Sequence, residues 1–390
     1  LKKLQKLDYW IAVPYALLSA VGVVMVFSAS QNVDSNSVVS FLKQAAFVGF
    51  GWLLALLAFN FNRRKLRQKN WLNALMVITL VLLVMARLSP AINGAHGWIQ
   101  LPGMTLQPVE LAKFVLILYF ADLFARHPWQ SGLPLHLQWR RWKPLMSSFV
   151  LPAAICIMEA IMPDVGNLFI AVVVIMVIWL GSGVSYRWNI FNLTVVMVVF
   201  LFLQNIIRFF HLGASQSYAV RRLTNFVDPW LNIDQSRQLL YSYYAIAHGG
   251  LFGVGLGNSL IKPYLPESNT DFIMAVATEE LGALMVLGVL IALLVLVGRL
   301  IYVGIQQEGQ YERLVLFGIA SLLLLQAFVN LGGVIGLLPI TGVVFPFISG
   351  GGSSFIVYSI AIGLALNISA KTKQPLKLNP QDMVARRDYR

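Results

Sequence analysis

The sequence predicts an all-α polytopic membrane protein. It has about ten transmembrane helices, both termini cytoplasmic, and a large extracytoplasmic loop between the seventh and eighth helices. Three observations carry this. Of the 390 residues, 58% are hydrophobic and only 12% charged, about half the charge of a soluble domain. Apolar runs of around 20 residues recur along the chain, each long enough or nearly so to cross a hydrocarbon core of about 30 Å. The basic residues, which leave a formal net charge of +13, gather in short segments between those runs, as the positive-inside rule requires. That clustering accounts for the charge without nucleic acid.

The predicted spans run near 9–29, 39–60, 71–88, 108–125, 145–161, 165–181, 188–211, 271–299, 314–337 and 343–368. The first resembles a signal peptide, but its apolar stretch from Tyr9 to Phe27 is longer than the usual h-region, and it reads as an uncleaved helix. Pro163 separates the fifth span from the sixth. With the N-terminus inside, 21 of the 29 Lys and Arg residues fall on the cytoplasmic side. The segment 238–257 is apolar but Gly-rich in its second half, a poor helix. It reads as an interfacial or re-entrant piece of an external loop, 212–270. The organisation is thus a transmembrane domain over 1–370 followed by a basic cytoplasmic tail over 371–390. The lone Cys156 excludes an intrachain disulfide.

On this topology four polar stretches meet at the external face: "NGAHGWIQLPGMTLQPVELAK", "MPDVGN", the loop ending in "YLPESNTDF", and "PFISGGGSS". They bring together Trp98, Gln107, Glu110, Lys113, Asp164, Glu267, Asp271, Ser353 and Ser354, a pattern that suggests a site built between helices. Asp271 stands at the water end of its span, with Thr270 before it as a possible N-cap. An acid there either does chemistry or complements the positive helix end. Glu279 and Glu280 lie roughly 12–14 Å deeper at 1.5 Å per residue. Intramembrane carboxylates need partners or a wet cavity. Glu110 and Lys113, at i and i+3, can pair on one helix face. Arg221 and Arg222 form an external pair suited to clamping phosphate or carboxylate.

These residues fit a general base acting on a lipid-linked substrate, and equally a proton-coupled transporter. "GVGLGN" lacks the spacing and flanking strand of a phosphate loop, and "GGGSS" is not a nucleophile elbow. The five histidines lack metal-ligand spacing.

The motifs "VVMVFSAS", "NGAHGWI", "QPVELAK", "PDVGN", "GGLFGVGLGNS", "YLPESNTDFIMAVATEELG" and "PITGVVFPFISGGGSS" occur in one order along nearly the whole chain. In them the sequence resembles the SEDS family (shape, elongation, division and sporulation), whose members include RodA, FtsW and SpoVE. "GLGNSLIKPYLPE" and "YSYYAIAHGG" look more like FtsW of Gram-positive cocci and lactic acid bacteria than RodA.

The resemblance implies a peptidoglycan glycosyltransferase at the division septum. It would polymerise lipid II at the outer face of the bacterial cytoplasmic membrane, beside a class B penicillin-binding protein and other divisome proteins. Alternatives are a lipid II flippase and an elongation-type polymerase. The family aspartate falls on Asp271, as general base, and the family tryptophan on Trp98. Gln107, Glu110 and Lys113 match its "QPxELxK" pattern, with Lys113 positioning or tuning Asp271. Arg221 and Arg222 are candidates for the diphosphate, where the resemblance also leaves room for a divalent cation, Mg or Mn. Glu279 and Glu280 are expected to organise the helix bundle. The chain departs from the family pattern at Val109, Met162 and Asn269.

Overall fold

A computed structural model describes residues 7–31, 37–90, 97–101, 104–129, 134–162, 164–184 and 236–372, with isolated positions at 194, 226, 229, 230 and 233. The expected seventh span and the paired Arg221 and Arg222 lie outside the described residues, as does most of the tail.

The helices are α1 (Tyr9–Ser30), α2 (Ser37–Asn60), α3 (Arg63–Leu66), α4 (Lys69–Leu88), α5 (Pro108–Arg126), α6 (Leu135–Trp142), α7 (Val150–Ile161) and α8 (Val165–Gly181). They continue with α9 (Arg237–Gly249), α10 (Ile273–Ile305), α11 (Gln310–Val334) and α12 (Gly352–Thr372). A 3₁₀ segment, Lys143–Phe149, joins α6 to α7. Among the described residues seven stretches are long and apolar enough to cross a membrane: Tyr9–Ser30, Ser37–Asn60, Lys69–Leu88, His136–Ile161, Ile273–Ile305, Gln310–Val334 and Gly352–Lys371.

The central helix is α5. Four charged residues, Glu110, Lys113, Asp122 and Arg126, make it the most polar of the long helices, yet it is buried from Pro108 to Phe124 except at Leu111. Such charges are tolerated because α5 is enclosed by α4, α8 and α11 and meets protein rather than lipid. Pro108 occupies its first turn, where the missing N–H costs nothing. In contrast α2 buries only Gln44, Gly51, Ala55 and Phe59, and turns the rest of its surface outward.

One end of the bundle carries Arg63, Arg64, Lys65, Arg67, Lys69, Arg126, Arg140, Arg141, Lys143, Arg299 and Arg313, and is therefore cytoplasmic. There Asp8 does not cap α1. Its carboxylate instead accepts two bonds of 3.1 Å and one of 2.9 Å from Arg299 of α10, and one of 2.5 Å from Ser369 of α12. Three spans are thereby pinned by one buried acid.

Two span boundaries differ from those expected. The tenth expected span, helix α12, begins at Gly352, and residues 339–351 form an irregular segment whose 343–349 portion is buried. Hydropathy reads this segment as helix, but it dips into the external end as extended and turn backbone, and the protein itself satisfies its polar groups. The eighth expected span, helix α10, is also longer than expected and is broken at Gly282, where φ is +83° and ψ 163°. Around the break the main chain pairs with the segment after α9. Val254 and Gly255 donate to the Glu279 and Glu280 carbonyls (both 2.9 Å), while Ala283 and Leu284 donate to Gly250 and Leu251 (3.0 and 3.2 Å). The break therefore leaves these backbone groups bonded rather than stranded in lipid. The expected re-entrant piece at 238–257 is helix α9 followed by this paired segment.

Candidate active site

Three pieces of chain hold Asp271. The turn over 267–272 is closed by Thr270 and Phe272 backbone N–H groups donating to the Glu267 carbonyl, at 3.2 and 3.1 Å. Glu267 has φ +57°, a left-handed conformation that a non-glycine residue rarely adopts without surrounding constraint. The segment 345–350 is sewn to this turn: Ser349 Oγ donates to the Thr270 carbonyl at 2.7 Å, and the Gly350 N–H donates to the Asn269 carbonyl at 2.8 Å. From α11, Asn330 Nδ2 donates to the Asp271 carbonyl at 2.7 Å and to the Val343 carbonyl at 2.8 Å. The main chain of Asp271 is fixed from α11 and from both neighbouring loops. The residue itself is half-buried at the edge of a cleft that Asn330, Thr341 and Val343 also line.

Thr270 was expected as the N-cap of this helix. Its hydroxyl instead donates to Glu267 Oε2 at 2.6 Å, and Phe272 occupies the cap position. The tight turn draws the Thr270 hydroxyl back towards Glu267, whose carbonyl and carboxylate accept from it.

One turn along α11 from Asn330, Gln326 reaches a second polar group. Glu110 accepts from Gln326 Nε2 at 3.1 Å, from the Tyr358 hydroxyl of α12 at 2.5 Å, and from Lys113 Nζ at 2.9 Å. Lys113 Nζ also donates to Asn167 Oδ1 at 2.7 Å. Asn167 is oriented in turn by Asp164, whose carboxylate accepts from its side-chain amide at 2.8 Å and its backbone N–H at 3.3 Å, capping α8. Asp164 keeps some exposed surface, but its carboxyl is enclosed. Burial raises it above the usual carboxylate range, an effect that the Asn167 side-chain bond and Lys113 oppose.

The expected Glu110–Lys113 pair is therefore present, and it is fully buried. The expected partnership of Lys113 with Asp271 is not among its side-chain bonds, which go to Glu110 and Asn167. The link to Asp271 runs instead through α11, from Glu110 to Gln326 and one turn on to Asn330. Glu159 of α7 is buried near this group, and neither carboxylate oxygen has a hydrogen-bond partner among the described residues.

Among the other sequence-predicted residues, Gln107 is buried, and its N–H donates to Ser353 Oγ at 3.3 Å. Ser353 and Ser354 are themselves buried, so Ser353 ties the start of α12 to the start of α5. Trp98 is half-buried beside a two-stranded hairpin, β1 (Ile99–Leu101) and β2 (Met104–Leu106), which leads into α5. Glu267 is exposed.

Glu279 and Glu280 form a separate buried group. Glu279 accepts from the Leu260 and Ile261 N–H groups at 3.0 and 3.3 Å, bonds the Ser259 hydroxyl, and lies 2.9 Å from His248 Nδ1. Glu280 bonds the Ser28 hydroxyl of α1 and pairs with Lys262 Nζ at 3.0 Å. Lys262 Nζ also donates to the Ser28 and Gly257 carbonyls, at 2.9 and 3.2 Å. These two acids thus fasten the loop over 254–262, which leads directly to Asp271.

Sequence reasoning missed Asn330, Gln326, Tyr358, Ser349 and Lys262. For Gln326 and Asn330 a signal existed: two amides four apart within the apolar run "LLLLQAFVNLGG". Among the described residues no three His, Cys, Asp or Glu side chains converge as a metal site.

Comparison with known proteins places this arrangement. The family model "Cell cycle protein" (FTSW_RODA_SPOVE) matches residues 9–374. A Lactococcus lactis protein named "Probable peptidoglycan glycosyltransferase FtsW" is 36% identical, over 96% of this chain and 95% of its own. A Bacillus subtilis protein of the same name is also 36% identical, over the same shares. Among solved structures, one described as "Structural coordination of polymerization and crosslinking by a peptidoglycan synthase complex" superposes with TM-score 0.73 at 26% identity. It covers 95% of this chain and 99% of that one. Thermus thermophilus RodA superposes with TM-score 0.64 at 26% identity, over 95% and 98%.

Proposed function

The chain belongs to the FtsW/RodA/SpoVE family of cell cycle proteins, and from that premise we propose that Asp271 is the general base of a glycosyltransferase that polymerises lipid II. The protein is a multi-pass membrane peptidoglycan glycosyltransferase. Its reaction joins an acceptor hydroxyl to a donor sugar carried on undecaprenyl diphosphate. The acceptor GlcNAc 4-hydroxyl is a weak nucleophile. Asp271 takes its proton as the oxygen attacks the donor anomeric carbon. The bond from that carbon to the diphosphate oxygen breaks, and undecaprenyl diphosphate departs with the bonding electrons. Its charge calls for cationic stabilisation, the role proposed for Arg221 and Arg222.

The observation that carries this reading is the way Asp271 is presented. Its backbone is immobilised by Asn330 and by the Ser349 and Gly350 bonds to the preceding residues, while the residue keeps access to an external cleft. A base must be held to within a fraction of an ångström yet remain reachable. The Glu110–Lys113–Asn167–Asp164 chain is fully internal at its centre, so its contribution is to fix α5, α8 and α12 to α11, whose Asn330 lines the cleft. Trp98, half-buried, and Glu267, exposed in the turn before Asp271, are proposed to contact substrate.

The activity is proposed to serve septal synthesis, with a class B penicillin-binding protein that cross-links the strands and other divisome proteins. Purified full-length protein given lipid II is expected to form glycan strands, faster with that partner than without. Transbilayer movement of lipid II with no polymer under either condition would contradict polymerisation and favour a flippase.

A further inference from the structure

Helix α6 and the 3₁₀ segment after it lie at the cytoplasmic end, away from the cleft, and take no part in the chemistry above. Their orientation is fixed by aromatic packing. Trp142 sits edge-on to Phe124 at the end of α5, with centroids 5.8 Å apart, and lies against Phe149 and Trp129 at 6.3 and 6.4 Å. With Trp142 half-buried and Gln138 buried, α6 presents His136, Leu137, Arg140 and Arg141 outward, and exposed Lys143 follows. Leu137, Met146 and Val150 are 38%, 48% and 64% exposed along the same stretch. No Asp or Glu occurs between Asp122 and Glu159. Asp122 itself is taken up by Arg67 at 3.3 Å and Arg126 at 2.6 Å, which draws exposed Arg64, Lys65 and Lys69 to the same end of the bundle.

We propose that this face is a docking surface for anionic phospholipid headgroups of the inner leaflet. Leu137, Met146 and Val150 enter the acyl boundary, while Arg140, Arg141 and Lys143 lie against the phosphates. Two features choose lipid over an acidic protein segment. The three cations are flanked by outward apolar side chains, Leu137 before them and Met146 and Val150 after, a mixture suited to a segment lying in a membrane interface. The segment is also the first part of the stretch His136–Ile161, whose apolar continuation through α7 enters the bilayer and holds the cations at headgroup level. Each cation near an anionic surface adds a measurable attraction, weakened by salt.

The test uses the full chain carrying Cys156→Ser and Leu137→Cys, labelled there with a small fluorophore. It is reconstituted in vesicles of three parts phosphatidylcholine to one part phosphatidylglycerol. Bromine quencher is placed on the acyl chains of either lipid at matched mole fraction. The proposal expects brominated phosphatidylglycerol to quench as if locally enriched about fivefold, the order given by one such attraction. High salt should reduce this. Arg140→Gln/Arg141→Gln/Lys143→Gln should abolish the preference while overall quenching persists, and Arg140→Lys/Arg141→Lys should retain it. Equal quenching by both brominated lipids overturns the proposal, as does a preference that survives the triple glutamine variant. So does a label that neither lipid quenches, which would turn the face towards the cytoplasm and an acidic protein.

Discussion

Lys262→Met removes one ammonium while keeping an unbranched side chain of similar volume. In the protein that ammonium is fully buried and donates to Glu280 and to the Ser28 and Gly257 carbonyls, at 3.0, 2.9 and 3.2 Å. Glu280 would keep only the Ser28 hydroxyl among the bonds described above, in a place water does not reach. Removing one partner of a buried ion pair costs about 3–5 kcal/mol, chiefly through the charge left behind. The loss falls on the loop over 254–262, which can open without unfolding the helices. Its amides, including those of Gly255 and Gly257, should exchange hydrogen about two to four orders of magnitude faster, up to the limit set by the loop's own opening energy. Polymerisation should fall in parallel, because this loop feeds the turn that carries Asp271. Glu280→Gln in the same chain should recover part of the loss, since the stranded charge is gone. Unchanged exchange in Lys262→Met, or additive losses in the double variant, would refute this account of the loop.

Other outcomes follow from the same geometry. Asn330→Ala leaves the Asp271 and Val343 carbonyls without their donor, at about 1–3 kcal/mol for each buried group. Polymerisation should drop at least tenfold with the chain still folded, by activity assay and thermal melt. Gly282→Ala places a Cβ against the Leu251 carbonyl oxygen at a φ of +83°, and should destabilise by about 1–3 kcal/mol in a melt. Asp8→Asn weakens the charged anchor to Arg299 and should cost about 1.5–3 kcal/mol of stability, with little change in activity per folded molecule. Glu159→Gln replaces a buried carboxyl group that lacks hydrogen-bond partners among the described residues with a permanently neutral side chain of the same shape, and should leave the melting temperature unchanged or higher.

Much of the bundle was legible in the sequence because lipid imposes a simple rule: a span must be apolar and close its own backbone bonds. Runs such as 9–29 and 39–60 obey it, and α1 and α2 end within a few residues of those limits. Residues 339–351 are equally apolar but satisfy their polar groups through Asn330, Ser349 and the Asn269 carbonyl, partners that hydropathy does not see. The break at Gly282 escapes a hydropathy reading for the same reason. A helix break inside a span becomes allowed only when another segment, here 250–255, supplies the missing bonds.

The site divides along a similar line. Glu110 and Lys113 could be paired from their spacing, being neighbours on one helix. Their remaining partners, Asn167, Gln326 and Tyr358, come from three other helices and follow from no local pattern. Glu279 and Glu280 were expected to organise the bundle. What they hold is more specific, the loop containing Ser259 and Lys262, and only the fold brings that loop within 3.0 Å of Glu280.

The most direct test of Asp271 as base is lipid II polymerisation by the purified protein with its class B partner, comparing the unaltered chain with Asp271→Asn. The substitution keeps the shape and removes the proton acceptor. The account predicts glycan strands from the unaltered chain and a loss of about a hundredfold or more with Asp271→Asn, both chains being equally folded and partner-bound. Equal polymer from the two would contradict it.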